Sequence, residues 1–86
     1  MTTKELQQIF AIRILERLEF LGMSQSDLSR KSGVSPGLIS HYLHRRCIPS
    51  IIHVLNISTA LGVSAAWMVG VGEKVELKEL GGLIRD

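Results

Sequence analysis

Four residues in the middle of the chain have side chains that could bind a metal ion. His41, His44 and Cys47 are spaced three residues apart, and His53 follows. This spacing would place His41 and His44 on one face of a helix. Structural zinc sites usually contain closely spaced pairs of cysteines, whereas Cys47 is the only cysteine of the chain. We therefore favour a polar surface over a metal site, and we expect no metal and no cofactor.

The sequence contains no recognisable set of catalytic residues. It lacks a glycine-rich phosphate-binding loop, and its eight acidic residues are scattered over three regions. No nucleophile and base lie in a recognisable local context. Cys47 next to Arg46 could act as a redox sensor, but a single thiol in a loop is usually incidental. We expect a protein without enzymatic activity.

The positive charge is concentrated in one central block. The formal net charge is +2 at pH 7. Residues 23–53 contain four Lys or Arg side chains, one Asp and all three histidines, whereas residues 54–72 contain no charged side chain. Such a block is typical of a surface that contacts phosphate groups. It is also compatible with a solvated basic face, and charge alone favours that second interpretation.

The uncharged segment 54–72 has the length of a membrane span. Four polar residues interrupt it, and Gly62-Val63-Ser64 predicts that one helix ends there and another begins. The N-terminal segment is amphipathic and contains acids, unlike a secretory signal. With one cysteine, no disulfide can form within the chain. We expect a cytoplasmic protein that does not cross a membrane.

The capping residues predict a series of short helices. The first apolar stretch has helical spacing and ends at Gly22. Four serines then occupy N-cap positions, and one of them, Ser24, has Asp27 three residues later, as in a capping box. The predicted helices span residues 3–21, 24–32, 35–44, 50–61 and 64–69. The fold class is therefore all-α, with about five helices.

The second and third predicted helices are joined by a tight turn. Gly33 suits the positive φ that such a turn requires, and Ser29 is small where the helices should meet. Four apolar residues could lock the helices together: Leu28, Val34, Ile39 and Tyr42. This is the layout of a helix-turn-helix, whose second helix enters the major groove of DNA. The same layout also occurs in ordinary all-α cores, and geometry alone leaves both interpretations open.

Five blocks of sequence follow one another in order: Ser24-Gln25-Ser26-Asp27-Leu28-Ser29, Gly33-Val34-Ser35, Ile39-Ser40-His41-Tyr42-Leu43, Ile48-Pro49-Ser50-Ile51 and Ala60-Leu61-Gly62-Val63-Ser64-Ala65-Ala66-Trp67-Met68. Together they resemble the lambda-repressor-like (Cro/Xre) helix-turn-helix family over about residues 9–70. The resemblance implies a compact five-helix domain. It also implies a sequence-specific transcription regulator, of the repressor or Cro type, that reads operator DNA in the major groove with its third helix as a homodimer.

The resemblance further implies roles for individual residues. Base contacts would come from the start of the third helix, that is from Ser35, Pro36, Gly37, Ser40 and His41. Phosphate contacts would come from Gln25, His44, Arg45, Arg46 and Ser50. Because Pro36 and Gly37 cannot make bidentate side-chain contacts, we expect direct readout by Ser40 and His41, supported by Ser35, with a larger contribution from DNA shape.

Two positions depart from the family pattern. Arg45 stands where the loop after the third helix often has Gly, so a left-handed backbone there would be strained. Ser29 stands where the second helix usually has Ala, and the small size is kept.

The uncharged segment 54–72 has more apolar residues than a small core needs. We expect Ile51, Val54, Leu55, Ile57, Leu61 and Trp67 in the core. We expect a homodimer interface at Met68, Val69, Val71 and Val75. Residues 1–72 would then form the DNA-binding domain, and residues 73–86 a C-terminal tail that extends the dimer interface or acts as a linker.

Two alternatives remain at this stage. One is an antitoxin that binds its own operator and also a toxin. The other is a protein-interaction module that kept the fold but lost DNA binding, for which the unusual residues Pro36 and Gly37 are the main argument. The salt dependence of binding to random duplex distinguishes a DNA-binding protein from the interaction module, since only a phosphate binder loses affinity steeply with salt.

Overall fold

The computed structural model describes residues 1–74, which form five α-helices and no β-strand. The helices are α1 (Thr3–Leu21), α2 (Gln25–Ser32), α3 (Pro36–Leu43), α4 (Ile51–Ala60) and α5 (Ala65–Met68). The all-α prediction is therefore confirmed. The predicted bounds differ by one residue at several ends, mainly because each capping serine lies just before its helix.

The N-caps explain where the helices begin. The Ser24 hydroxyl accepts a hydrogen bond from the Asp27 backbone N–H, and the Asp27 carboxylate accepts one from the Ser24 N–H, both at 3.0 Å. This reciprocal pair is the predicted capping box. Thr2 and Glu5 form a second one at the start of α1, which the sequence analysis did not identify. The hydrogen bonds donated by the capping residues lower the pKa of both carboxyl groups.

The core lies between the inner faces of all five helices. The four residues expected to lock α2 and α3 together, Leu28, Val34, Ile39 and Tyr42, are all buried. Trp67 is also buried, as expected. Arg13 and Arg17 of α1 turn inward, and their guanidinium groups donate hydrogen bonds to the backbone carbonyls of Trp67 and Leu61. Helix α1 thus holds the C-terminal ends of α5 and α4.

The uncharged segment contains a sharp break between two helices. Helix α4 ends at Ala60, Gly62 has a φ of +73°, and α5 begins at Ala65. The helix end and new start predicted at Gly62 and Ser64 are confirmed. No helix formed by residues 1–74 is both long enough and apolar enough to cross a membrane.

Three predicted assignments of apolar residues are wrong. Ile51 and Leu55 were expected in the core but are 73% and 45% exposed. Met68 was expected at a dimer interface but is fully buried. The face that each short helix packs against the core determines which of its apolar residues are buried. In α4 the inward stripe contains Val54 and Ile57, so Ile51 and Leu55 lie on its outer side.

Candidate nucleic-acid interface

The turn between α2 and α3 is fixed by local hydrogen bonds. Gly33 has a φ of +75°, and its N–H donates to the Ser29 carbonyl at 2.9 Å. The Ser29 hydroxyl donates to the Val34 carbonyl at 2.7 Å, and the Ser32 hydroxyl accepts from the Val34 N–H at 3.2 Å. Ser29 therefore does more than leave room between the helices, because its hydroxyl ties α2 directly to the turn.

Helix α3 presents its predicted base-contacting side to solvent. Ser35, Pro36, Gly37 and His41 are exposed, and Ser40 is half-buried. The Ser35 hydroxyl accepts from the Leu38 N–H at 3.2 Å and so caps the helix. A Cβ atom at Gly37 would meet no other atom within 4 Å. The backbone at Gly37 is therefore open to close approach by a large ligand.

His44 ends α3 and folds back onto it. Its Nδ1 atom lies 2.8 Å from the Ser40 carbonyl oxygen and 3.4 Å from the Ser40 hydroxyl. A carbonyl oxygen only accepts hydrogen bonds, so Nδ1 must carry the hydrogen. The neutral ring then has a lone pair on Nε2, and only the protonated ring can donate from Nε2 to an anion.

The loop after α3 places two arginines in solvent. Arg45 has a φ of +59°, so the left-handed backbone anticipated from the sequence is present. The backbone N–H groups of Arg45 and Arg46 donate to the carbonyls of Tyr42 at 3.1 Å and His41 at 2.9 Å. Both arginine side chains are exposed. The loop thus holds two cations beside the C-terminal end of α3.

Two further predicted phosphate-contacting residues stand at helix starts. Gln25 is the first residue of α2 and Ser50 is the N-cap of α4, and both are exposed. The Ser50 hydroxyl accepts from the His53 N–H at 3.3 Å. Near Gln25, Arg30 forms an exposed ion pair with Asp27, an interaction that contributes little stability. The ten predicted contact residues therefore lie at the start of α2, along α3, in the loop after α3 and at the start of α4.

The four residues considered for a metal site do not converge. Within residues 1–74, no group of three His, Cys, Asp or Glu side chains is placed to hold a metal ion. His53 instead lies against α3, where its Nδ1 atom is 2.7 Å from the Tyr42 hydroxyl.

An exposed apolar face lies on α4 and the segment around α5. We call it the α4–α5 apolar surface; its members are the exposed residues Ile48 (in the loop before α4), Ile51, Ile52, Leu55 and Val71, and the half-buried Val69. A groove of about 480 Å³ runs along it, with Ile51, Val69 and Val71 among its lining residues. Val69 and Val71 were predicted as interface residues from the sequence, whereas Ile48 and Ile52 were not. The helical period of α4 could have revealed Ile52, which lies opposite the inward stripe. The predicted interface residue Val75 lies outside the described residues.

Comparison with known proteins places this arrangement in a family. Residues 14–68 match the helix-turn-helix family of the Cro/C1 type. The chain is similar in structure to a hypothetical transcription factor, NHTF, from Neisseria, with a TM-score of 0.73 and 20% sequence identity over 99% of this chain and 90% of that one. A search of curated proteins gave no match. The chain belongs to the Cro/C1-type helix-turn-helix family. Its family membership identifies it as a DNA-binding regulator.

Proposed function

We propose that this protein is a sequence-specific regulator of transcription that reads operator DNA in the major groove with α3, as a homodimer in the cytoplasm. The observation that carries the proposal is the open side of α3, at Gly37, Ser40 and His41, next to the exposed loop cations Arg45 and Arg46. Base edges can be reached from such a helix while the cations contact phosphates on the same side. Residues 1–72 are the DNA-binding domain in this proposal.

Base reading is assigned to Ser40 and His41. The side chains of Pro36 and Gly37 carry no hydrogen-bonding group, so α3 offers few direct contacts to base edges. Gly37 instead allows the backbone to approach the DNA closely, since nothing stands within 4 Å of its missing Cβ. DNA shape and the spacing of half-sites then contribute more of the specificity.

Dimer formation is assigned to the α4–α5 apolar surface. Its exposed ridge, formed by Ile51, Ile52 and Leu55, borders a groove lined by Val69 and Val71. A second copy could insert its ridge into this groove, as a two-fold interface requires a self-complementary surface. Residues 54–72 carry no charge, so two copies would meet without like-charge repulsion. The C-terminal tail at 73–86 would extend this interface.

Gel-shift titration on DNA from around the gene of this protein, with random duplex as competitor, tests the proposal. We expect a complex that prefers this DNA. Arg46→Ala should weaken binding to every duplex and reduce the slope of log affinity against log salt by about one. His41→Ala should reduce the preference for the specific site while leaving affinity for random duplex nearly unchanged. Lys4→Ala, an exposed cation outside the central block, is the control and should change neither.

The same titration identifies the alternatives. A folded protein that binds no duplex at low salt would refute DNA binding and favour the protein-interaction module. Binding with equal affinity to all duplexes would refute sequence-specific reading. Loss of site preference in the Lys4→Ala control would show that charge outside the loop carries the effect, against the assignment to Arg46 and His41.

A further inference from the structure

A hydrogen bond joins the side chains of Tyr42 in α3 and His53 in α4. The Tyr42 hydroxyl lies 2.7 Å from Nδ1 of His53, and the two rings are 6.0 Å apart at a tilt of 58°. Helix α3 packs mainly on α1 and α2, whereas α4 packs mainly on α2 and α5. Ser50, the N-cap residue of α4, also contacts the Tyr42 hydroxyl, so this hydroxyl is held at the start of α4. This bond is therefore a specific link between two helices that share little other contact.

The Tyr42 side chain has little freedom to move. It is 3% exposed, and the ring of Phe10 meets it edge-on at 5.6 Å, with an angle of 73° between the ring planes. Burial raises the pKa of Tyr42, and contacts from Ser50 offset this only in part, so the phenol keeps its hydrogen. A phenol hydroxyl can donate or accept, so it pairs with Nδ1 of His53 in either imidazole tautomer.

The link connects directly to the proposed reading residues. Tyr42 follows His41 in α3, and His53 follows the Ser50 cap in the first turn of α4. Loss of the His53 ring leaves the Tyr42 hydroxyl with its contacts from Ser50 alone, which favours a shift of Tyr42 and hence of α3. Base contacts tolerate such a shift poorly, because they require accurate placement of each group, whereas phosphate attraction depends on charge and is more tolerant.

We propose that His53 is a positioning residue for DNA reading, which holds α3 in its reading orientation through Tyr42 and touches no base itself. The inference rests on the proposed function, because it assigns α3 to base recognition. It predicts that site preference depends on a residue outside α3 that lies in none of the five sequence blocks.

Four variants test this. His53→Leu keeps most of the side-chain volume but removes the ring nitrogen, and Tyr42→Phe keeps the ring but removes the hydroxyl. His53→Asn places an amide oxygen near the position of Nδ1 and should rescue the bond. The double variant Tyr42→Phe/His53→Leu measures the coupling of the two changes. DNA selected by the wild-type protein from a random duplex pool serves as the specific site, and an unselected duplex is the reference.

The measured quantity is the ratio of affinities for the selected and the unselected duplex. We expect His53→Leu and Tyr42→Phe each to lower this ratio about five- to tenfold, the effect of one hydrogen bond. The double variant should lose no more than either single variant, and His53→Asn should keep the wild-type ratio. Unchanged ratios in both single variants would overturn the proposal, as would an equal loss of affinity for both duplexes or a failure of His53→Asn to rescue.

A measurement without DNA separates this inference from the proposed function. In ¹⁵N-labelled protein, His53→Leu should shift the backbone amide resonances of residues 36–43 more than those of α1, and Tyr42→Phe should reproduce the pattern. Shifts confined to α4 would overturn the positioning role whatever the DNA result. A wild-type protein that selects no DNA, with α3 shifts as expected, would refute the proposed function and leave the mechanical link intact.

Discussion

The guanidinium group of Arg17 donates two hydrogen bonds to the backbone carbonyl of Leu61, from Nε at 3.2 Å and from Nη2 at 3.0 Å. Arg17 lies in α1 and is only 2% exposed, and Leu61 is the C-cap residue of α4. The last carbonyls of a helix have no partner within the helix and favour a nearby positive charge. Arg17 therefore supplies the positive charge and the hydrogen-bond donors that the C-terminal end of α4 lacks. It connects α1 to α4 across a sequence separation of 44 residues.

Arg17→Met should destabilise the fold strongly. Methionine keeps most of the aliphatic length but leaves the Leu61 carbonyl without its charged donor. We expect the free energy of unfolding to fall by about 2 kcal/mol, the usual effect of hydrogen bonds to a charged group. Urea denaturation followed by circular dichroism measures it. Arg30→Met, which changes an exposed arginine, is the control, and an equal effect of both variants would contradict the assigned role.

Arg45 should limit stability while it assists DNA binding. Its φ of +59° is unfavourable for a residue with a Cβ atom. Arg45→Gly and Arg45→Ala both remove the charge, but only glycine relieves the strain. We expect the glycine variant to be more stable than the alanine variant by about 1 kcal/mol. Both should lose similar affinity for random duplex, measured by fluorescence anisotropy over a salt series. Equal stability of the two variants would show that the loop relaxes without strain.

The capping box at α2 should make stability sensitive to acid. Hydrogen bonds from Ser24 lower the pKa of Asp27 below its ordinary value of 3.8. A carboxyl group with a lowered pKa stabilises the fold above its unfolded-state pKa, and this contribution is lost as the pH falls through the folded-state value. The difference in melting temperature between wild type and Asp27→Asn should therefore be largest near neutral pH and shrink below pH about 4.

A control variant tests whether the loss of stability in acid is specific to Asp27. Glu19 is an exposed acid of α1 without a capping role. Glu19→Gln should leave the pH dependence of the melting temperature close to that of the wild type. If Asp27→Asn and wild type lose stability in parallel below pH about 4, the carboxylate of Asp27 contributes nothing as a cap.

The positions of the helices follow closely from local chemistry. Serines at 24, 35, 50 and 64 satisfy the first free N–H groups of four helices, and a cap acts over three residues. The same holds for the turn at Gly33, whose positive φ depends on its own residue type. Such features can be predicted from the sequence because cause and effect lie within one short segment.

Contacts between distant segments could not be predicted in this way. Arginine usually lies at the protein surface, so the sequence does not indicate that Arg17 is buried. Only the fold brings the Leu61 carbonyl within its reach. Helix α4 has apolar residues on most sides, so hydropathy could not decide that Val54 faces inward and Ile51 outward. The link between Tyr42 and His53 depends on how two helices cross, which no local pattern of either helix encodes.

The α4–α5 apolar surface should determine the oligomeric state. Ile52 is 56% exposed on the ridge of α4, where a charge would be solvated in a monomer but buried in a dimer. Ile52→Glu should therefore leave the melting behaviour of a dilute sample nearly unchanged and shift the protein from dimer to monomer in sedimentation equilibrium. Ile12→Glu changes an aliphatic residue of α1 that is 46% exposed, and should leave the dimer intact.

A wild-type protein that stays monomeric at high concentration, or a dimer that Ile12→Glu disrupts instead, would contradict the assigned interface. Because two recognition helices bind one operator only when joined, the Ile52→Glu monomer should also lose affinity for the specific site far more than for random duplex.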